Sequence, residues 1–481
     1  MSRPMRVTTL LRDSRALAAL AVPLVLTQLA QVALTTTDTV MMGTLGTTDL
    51  AAGGLAIVVF NQLRTMGVGL VTSVGNGIAA ASARAETARA EAAGAGPADT
   101  GPSAGDQEIR TTVRAGLAVA TLAGLAGAVL MLLIGQALTR LGQEADVVDR
   151  ARTMLLALAP GLLPCLWFQA VRQFTVGMRR PQALLRITVA SVAVNAALNW
   201  GLIHGTWGLP ELGLPGVGVA TTLVYFLSFL ALYAAAKRDP VLGPHLSLNI
   251  AGADRAAAVR IVRLGVPIAA TYGSEAGFFS VTALMAGSFG SAALAAHTAV
   301  NQLVYIVFQV AVGLSHAASV NVSRELALGR TDTALRIKNS ALACAGAVMA
   351  VVAVVYVTLP GPVLAPFFDT GRARDTEAVT IATHLLLVVM VLQFFDCAQN
   401  IGVGLLRGLD DTKSGFRITL VGYWAVGLPA AWLLGFAAGL HTLGIWLGLL
   451  TGLATTAVLL LRRYGSRLRA RAGAPRTARA A

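Results

Sequence analysis

Charged residues are scarce in this sequence. Only 12% of the 481 residues are Asp, Glu, Lys or Arg, and 56% are hydrophobic, whereas an ordinary soluble domain carries about 25% charged residues. This composition excludes a soluble globular protein. The three lysines, Lys237, Lys338 and Lys413, each follow a residue other than glycine, which excludes the phosphate-binding loop of nucleotide hydrolases.

Cysteines are equally few. Cys165, Cys344 and Cys397 all lie in apolar runs without paired spacing, so they indicate neither a disulfide framework nor a zinc site. No set of nucleophile and base, and no cluster of metal ligands, is recognisable in the sequence. We therefore expect a protein that is not an enzyme and has no catalytic residues and no cofactor.

Apolar runs of about 20 residues recur along the whole chain, and each is long enough to cross a bilayer as a helix. They predict an all-α membrane protein with twelve transmembrane helices, multi-pass in the cell membrane. The predicted spans are 16–43, 50–83, 115–139, 153–176, 183–204, 217–236, 264–288, 294–322, 339–359, 378–404, 418–437 and 443–461.

The net charge of +14 is distributed unevenly across the membrane. When the loops are assigned alternately to two sides, thirty Lys and Arg residues fall on one side and five on the other. This bias places both termini in the cytoplasm. The basic tail from Arg462 to Arg479 then lies near anionic lipid headgroups, so we expect membrane lipids as partners and no nucleic acid.

The sequence repeats itself weakly. Val22-Pro23 returns as Val266-Pro267, 244 residues later, and Arg186-Ile187-Thr188 returns as Arg417-Ile418-Thr419, 231 residues later. We predict two six-helix bundles, residues 1–244 and 245–481, related by a pseudo-two-fold axis along the membrane normal. Residues 84–110 lack apolar periodicity, and we predict a flexible cytoplasmic loop there.

Three carboxylates, Asp38, Glu275 and Asp396, interrupt predicted membrane spans. Each costs about 2.5 to 3.5 kcal/mol to insert, so such residues usually face a cavity, a partner or an ion path. Their counterparts in the repeat are neutral: aligning Gly177 with Gly404 places Gln169 opposite Asp396. We predict that all three couple transport to an ion.

A cation pocket is predicted around the first of these acids. Asn195 and Asn199 are one helical turn apart, and Thr221 or Thr222 follows on the next helix. With Asp38, their oxygens suit a hard cation such as Na⁺, or a proton relay. Alternatively, the two asparagines simply hydrogen-bond helices together.

Substrate contacts are predicted near all three acids. Gln31 shares a polar helical face with Asp38, and aromatic side chains near the other two offer apolar and cation-π contact, although most aromatic residues pack in the core. The predicted substrate-binding residues are Gln31, Tyr272, Glu275, Phe279, Tyr305, Gln393 and Asp396.

These motifs together resemble the multidrug and toxic compound extrusion family, in particular its NorM-like branch. The resemblance covers nearly the whole chain and includes the stretch Asp38-Thr39-Val40-Met41-Met42-Gly43. It implies a two-lobed antiporter that exports cationic or amphiphilic compounds against Na⁺ or H⁺. Asp38, Asn195 and Asn199 match the family's cation pocket, and Glu275 and Asp396 match acids of this branch. Asn199 stands where some relatives carry an acid.

An ion gradient is the expected energy source, because one charge crossing the membrane releases about 2.3 kcal/mol per 100 mV. We expect a monomer that works by alternating access. The alternative is a lipid-linked precursor flippase of similar fold, whose cavity would need net positive charge. Arg64 and Arg172 lie deep within predicted spans, and Arg186 lies near the start of another, where it is counted with the preceding loop. The charges within the spans are thus mainly acidic, which favours the antiporter.

Overall fold

The computed structural model describes residues 7–94, 103–138, 145–250, 252–368 and 376–473. Within these ranges the chain is helical, contains no β-strand and forms sixteen α-helices, which we number in chain order. They are α1 (Val7–Gly43), α2 (Thr47–Val71), α3 (Ser73–Gly94), α4 (Ala104–Ala137), α5 (Ala145–Leu158), α6 (Leu162–Gly177), α7 (Gln182–His204), α8 (Leu214–Arg238), α9 (Arg255–Gly287), α10 (Ser291–Ala327), α11 (Thr331–Thr358), α12 (Pro360–Leu364), α13 (Thr376–Gly408), α14 (Thr412–Leu420), α15 (Leu428–Trp432) and α16 (His441–Gly473).

Eleven stretches of the described residues are long and apolar enough to cross a membrane. Three of them join neighbouring helices: Thr47–Ala92 includes α2 and α3, Ala145–Gly177 includes α5 and α6, and Thr412–Ala437 includes α14 and α15. The protein is therefore a multi-pass membrane protein, and the predicted all-α fold is confirmed.

Helix α9 corresponds to the remaining predicted span. It has 33 residues, or about 50 Å of helix at 1.5 Å per residue, which exceeds the thickness of a bilayer core. Tyr272, Ser274 and Glu275 lie in its middle and reduce its hydropathy. This helix is therefore long enough to cross a bilayer but carries a polar segment that needs partners inside the protein.

The internal repeat is visible in the backbone. Gly46 and Gly290 precede α2 and α10 with similar angles, φ 119° and ψ 173° against φ 107° and ψ 172°. They are 244 residues apart, as the sequence repeat predicts. Arg179 and Asp410, 231 residues apart, both adopt positive φ, at 58° and 60°, in the turns that follow α6 and α13.

These turns correct one detail of the repeat. Helix α6 ends at Gly177 and α13 ends at Gly408, so Gly177 corresponds to Gly408, and its alignment with Gly404 is wrong. Asp396 therefore corresponds to Cys165, and Gln169 to Asn400. Hydropathy does not distinguish two glycines one turn apart on the same apolar helix, whereas the turn geometry does.

The helices form two compact units. One comprises Leu26–Tyr272, and the other comprises the described parts of Met1–Val25 and Gly273–Ala481. The first is built around a buried cluster that includes Met42, Phe60 and Met154. The second is built around Phe278, Tyr423 and Trp446. The predicted lobes follow chain order, whereas these units change within α1 and α9.

Most of the predicted loop at residues 84–110 is helical, so that prediction is wrong for residues 84–94 and 104–110. Helix α3 continues to Gly94 and α4 begins at Ala104, because this alanine-rich sequence favours helix even without an apolar face. The Ser103 hydroxyl caps α4 by accepting the Asp106 N–H at 3.2 Å. Residues 95–102 lie outside the described ranges.

Polar contacts join α3 to α4 and attach the segment after α8 to α4. Arg84 pairs with Glu108 at 2.7 Å and Arg89 with Asp106 at 2.5 Å. His245 Nε2 lies 3.5 Å from Asp106 Oδ1, and burial lowers the pKa of His245. The two arginine pairs are exposed at the arginine and add little stability. The His245–Asp106 contact is buried and fixes where the connection between the repeats begins.

Close packing between α15 and α16 depends on Gly448. A Cβ atom added there would overlap the backbone of Ala431, whereas one added at Gly346 on α11 would meet nothing within 4 Å. We expect Gly448→Ala to destabilise the protein by about 1–3 kcal/mol. Gly346→Ala, the matched control, should be neutral or stabilising.

The midpoint of thermal unfolding in detergent is measured for both variants. The remaining monodisperse protein is quantified after heating to each temperature. Equal midpoints for the two would contradict the packing argument.

Candidate functional site

Asp38 lies in a buried cluster formed by three helices of the Leu26–Tyr272 unit. Its Oδ1 accepts hydrogen bonds from the side-chain amides of Asn195 and Asn199, both at 2.7 Å. Its Oδ2 accepts the Thr221 hydroxyl at 3.1 Å. Asn195 and Asn199 reach the same carboxylate because residues four apart share a helical face. The structure thus brings together four of the residues predicted for the cation pocket.

The amide oxygens of Asn195 and Asn199 are buried and have no hydrogen-bond partner. Buried polar atoms rarely stay unpaired, and each such atom needs an explanation. An amide presents either its oxygen or its NH₂ group after a half turn, and here the NH₂ groups face the carboxylate. The cluster therefore contains two amide oxygens, next to the Asp38 carboxylate, that are available to bind a cation.

The composition of this cluster fits a proton or a hard cation. Among the described residues, no Lys or Arg forms an ion pair with Asp38, and no group of three His, Cys, Asp or Glu residues is placed to hold a metal ion. A cation here would rely on carboxylate, amide and hydroxyl oxygens, which are the ligands that hard cations prefer.

Thr222, the other threonine predicted for this pocket, does not join it. Its hydroxyl donates to the Ala157 carbonyl at 2.9 Å. Consecutive helical residues point about 100° apart, so only one of the two threonines can face Asp38.

Glu275 and Asp396 form a second polar cluster in the other unit. The side-chain amide of Gln399 donates to Glu275 Oε1 at 3.1 Å and to Asp396 Oδ1 at 3.3 Å. Asn400 Nδ2 donates to Asp396 Oδ1 at 3.2 Å. The Tyr423 hydroxyl lies 3.3 Å from Glu275 Oε1 and 2.8 Å from Gln399 Oε1. One amide therefore joins two acids.

These two carboxylates act on each other electrostatically. No Lys or Arg of the described residues pairs with either acid. Two ionised carboxylates close together repel, and a proton or a cation bound near them relieves the repulsion. The cluster can therefore bind positive charge.

An irregular helix positions Tyr423. Residues Val421–Gly427 form a π-helical segment, a geometry that occurs often at functional sites. Tyr423 is fully buried and stacks on Phe278, with ring centroids 5.0 Å apart and planes 2° from parallel. Next to it, the Trp424 indole donates to the Ser274 hydroxyl at 2.8 Å. Both contacts hold this helix against α9 beside Glu275.

Three predicted substrate residues lie in the same unit without belonging to the cluster of acids. Gln393 donates to the Tyr356 hydroxyl at 3.4 Å, and its own carbonyl oxygen is buried without a partner. Phe279 is half-buried beside Phe278 at 6.0 Å. Tyr305 is 41% exposed. Their role as substrate contacts stays a prediction.

Gln31 and Tyr272 belong to the Leu26–Tyr272 unit. Gln31 is half-buried, and its carbonyl accepts the Thr35 hydroxyl at 3.1 Å. Tyr272 is only three residues before Glu275 in sequence, yet it lies next to Gly69 and near Arg172. Tyr272 therefore belongs to a different compact unit from Glu275, and its role as a substrate contact stays a prediction.

Two residues of the second cluster, Gln399 and Tyr423, were missed by the sequence analysis. Gln399 follows Asp396 by three positions on the same helical face, so its polarity within an apolar span was an available signal. Tyr423 has no such signal, because a tyrosine near a membrane helix end is ordinary.

The chain matches the model of the MatE family over residues 104–201 and 267–433. Among curated relatives, the probable multidrug resistance protein NorM of Pseudomonas aeruginosa is 36% identical, over 93% of this chain and 88% of the relative. The protein of the same name from Bradyrhizobium diazoefficiens is 37% identical, over 92% and 91%.

Solved structures share the fold. The crystal structure of the eukaryotic MATE transporter AtDTX14 has a TM-score of 0.79 at 20% identity, covering 96% of this chain and 99% of that one. The outward-facing conformation of a multidrug resistance MATE family transporter of the MOP superfamily has a TM-score of 0.81 at 17% identity, covering 98% and 99%. Together with the family match and the relatives above, this likeness shows that the chain is a member of the MATE family, on its NorM-like branch.

Proposed function

We propose that this protein is a secondary active multidrug efflux transporter, which exports cationic or amphiphilic organic compounds in exchange for Na⁺ or H⁺ by alternating access. One observation carries the proposal. Among the residues that the structure describes, three carboxylates in apolar helices are bound by neutral donors and by no Lys or Arg. A buried acid paired with a basic residue would be a structural ion pair, whereas an acid held by amides and hydroxyls remains able to bind a cation.

The side-chain amides of Asn195 and Asn199 allow Asp38 to bind and release a coupling ion. In the ionised state, the carboxylate is stabilised by Asn195, Asn199 and Thr221. When Na⁺ enters, the amides turn so that their oxygens face the ion. When a proton binds instead, the new hydroxyl donates to one of these oxygens. The same residues therefore serve either coupling ion.

Substrate binding uses the second cluster. The positive charge of a drug is attracted by Glu275 and Asp396, and a coupling ion that reaches the same acids cancels that attraction. Phe279, Tyr305 and Gln393 then supply apolar and polar contact to the rest of the molecule. Drug and ion compete for the same negative charge, which links their movements.

Reconstituted protein provides the test. In proteoliposomes, a Na⁺ gradient and a pH gradient are imposed separately, and ethidium accumulation is followed by fluorescence. We expect accumulation driven by at least one gradient and abolished by the matching ionophore. A driving force equal to one charge across 100 mV sustains at most about 50-fold accumulation. Absence of transport under both gradients would contradict the proposal.

Several finer features belong to the same proposal. The charge bias supports cytoplasmic termini and a basic tail near lipid headgroups, and we expect the transporter to act as a monomer. The flippase alternative requires a cationic cavity, and both clusters described above are built on carboxylates. Transport of a fluorescent lipid-linked precursor without a gradient would favour that alternative.

A further inference from the structure

Two arginines in the first third of α4 have no acidic partner. Arg110 and Arg114 form no ion pair and no side-chain hydrogen bond with any described residue, and the Nε atom of each is buried without a hydrogen-bond partner. A buried N–H group normally finds an acceptor, so each one without an acceptor needs an explanation. Both guanidinium groups therefore have donors available for a ligand.

The nearest acids along α4 are paired with arginines of α3. Asp106 pairs with Arg89 at 2.5 Å, and Glu108 pairs with Arg84 at 2.7 Å. No described acid therefore compensates the two arginines of α4 through an ion pair. Two uncompensated positive charges attract an anion.

Both guanidinium groups lie beside the connection between the repeats. Arg110 acts electrostatically on His245, whose buried Nδ1 atom also has no hydrogen-bond partner. Arg114 Nη1 lies 3.8 Å from the position of a Cβ atom added to Gly252. Residues four apart share a helical face, with Cβ atoms about 6 Å apart. A single ligand of the size of a phosphate group can therefore contact both arginines.

The connection carries a further cation. Lys237 Nζ donates to the carbonyl oxygens of Gly243 and Leu246, at 3.2 and 3.0 Å. Both acceptors are neutral and close to His245 in sequence, and no described acid pairs with this lysine. The local charge is therefore positive, which favours an anion as the ligand.

Exposed apolar side chains continue from this basic site. Arg114 directly precedes the predicted span 115–139, and Leu125 follows eleven residues later, which is about three turns or 16 Å farther along the same helical face. Leu125 is 51% exposed, and Leu248 in the connection is 47% exposed. Cations at the end of a membrane span, with an exposed apolar face beyond them, match the headgroup and the acyl chain of an anionic lipid.

We propose that Arg110 and Arg114 bind the phosphate group of an anionic phospholipid, whose acyl chain lies along α4 over Leu125. Guanidinium groups bind phosphate through paired, charge-assisted hydrogen bonds, and the unpartnered Nε atoms are donors suited to them. A free phosphate ion offers the same oxygen atoms without an acyl chain. The lipid site shares no residue with either acidic cluster, and it does not depend on the transport proposal.

Two lipids with the same acyl chains test this site. Purified full-length protein in detergent is titrated with anionic phosphatidylglycerol or zwitterionic phosphatidylcholine, and native mass spectrometry measures the fraction of protein that carries a lipid. We expect the wild type to prefer phosphatidylglycerol. For Arg110→Gln and for Arg114→Gln, we expect affinity for phosphatidylglycerol to fall about fivefold and affinity for phosphatidylcholine to change less than about twofold.

Arg84→Gln is the matched control. It removes one positive charge from neighbouring α3, but Arg84 is exposed and already pairs with Glu108, so affinity for phosphatidylglycerol should change less than about twofold. Arg114→Lys keeps the charge but loses the fork of donors, and should give a smaller loss than Arg114→Gln. If the glutamine variants do not fold, Arg110→Lys and Arg114→Lys are compared with Arg84→Lys and should show the same order.

Unchanged affinity for phosphatidylglycerol in both glutamine variants would overturn the site. An equal loss in Arg84→Gln would also overturn it, because the lipid would then respond to general charge rather than to two particular arginines. Inorganic phosphate distinguishes the two sources of the phosphate group. If it displaces phosphatidylglycerol from the wild type and raises the unfolding temperature as much as the lipid does, the lipid assignment is wrong.

Discussion

Asp38→Asn is expected to lower gradient-driven ethidium export by about 10- to 100-fold, the range typical of coupling between two binding sites. Asparagine has nearly the same shape as aspartate, and its oxygen can still accept an amide of Asn195 or Asn199. It has no charge, so neither a proton nor Na⁺ is held there. The variant should fold normally but no longer exchange ethidium for the coupling ion.

The measurement is initial ethidium uptake into proteoliposomes under the gradient that drives the wild-type protein. Asp146→Asn is a suitable control, because Asp146 is an exposed acid whose bond to Arg150, at 3.2 Å, joins residues on one helix. It should retain wild-type uptake. Wild-type uptake by Asp38→Asn as well would remove Asp38 from the coupling mechanism.

The effect of Na⁺ on thermal stability is a second test of Asp38. If Na⁺ is the coupling ion, it should raise the unfolding temperature of wild-type protein, because a ligand that binds only the folded state stabilises it. Asp38→Asn should lose that shift. A shift of equal size in the variant would place the ion elsewhere.

Neutralising the second cluster should weaken binding of a cationic drug. We expect Glu275→Gln and Asp396→Asn each to reduce ethidium affinity at least about tenfold, because each removes a carboxylate charge that pairs with no basic residue among those described. The double variant should lose less than the product of the two single effects. Gln399 joins both acids, so the two substitutions are not independent.

Fluorescence titration with ethidium measures all three variants. Glu377→Gln is the matched control, because this exposed acid lies on the same helix as Asp396, and it should bind ethidium as the wild type does. Unchanged affinity in both single variants would exclude the two acids from the drug site. Strictly multiplicative effects would contradict the shared cluster.

The helical fold could be predicted because a membrane allows few solutions. Long apolar runs must form helices, since the bilayer offers no hydrogen-bond partner to the backbone. The predicted loop was wrong for residues 84–94 and 104–110 for the opposite reason. These residues continue two helices beyond their apolar part, and hydropathy carries no signal for a helix without an apolar face.

Part of the site could also be predicted. Asp38, Asn195, Asn199 and Thr221 were found from the polarity of single residues in apolar helices, and the structure joins them in one cluster. Thr222 shows the limit of this reasoning. It follows Thr221 directly in the chain, but a rotation of 100° per residue turns its hydroxyl to the Ala157 carbonyl instead of Asp38.

The sequence by itself determined that this is a helical membrane protein with a repeated architecture and acids at unfavourable depth, because insertion cost and periodicity are properties of local sequence. Only the tertiary structure decided which neutral groups hold those acids. It also decided that Gln399 and Tyr423 join Glu275 to Asp396, and that Arg110 and Arg114 have no acidic partner among the described residues. Such facts depend on contacts between helices distant in the chain, and these are set by packing of whole helix surfaces rather than by any short segment.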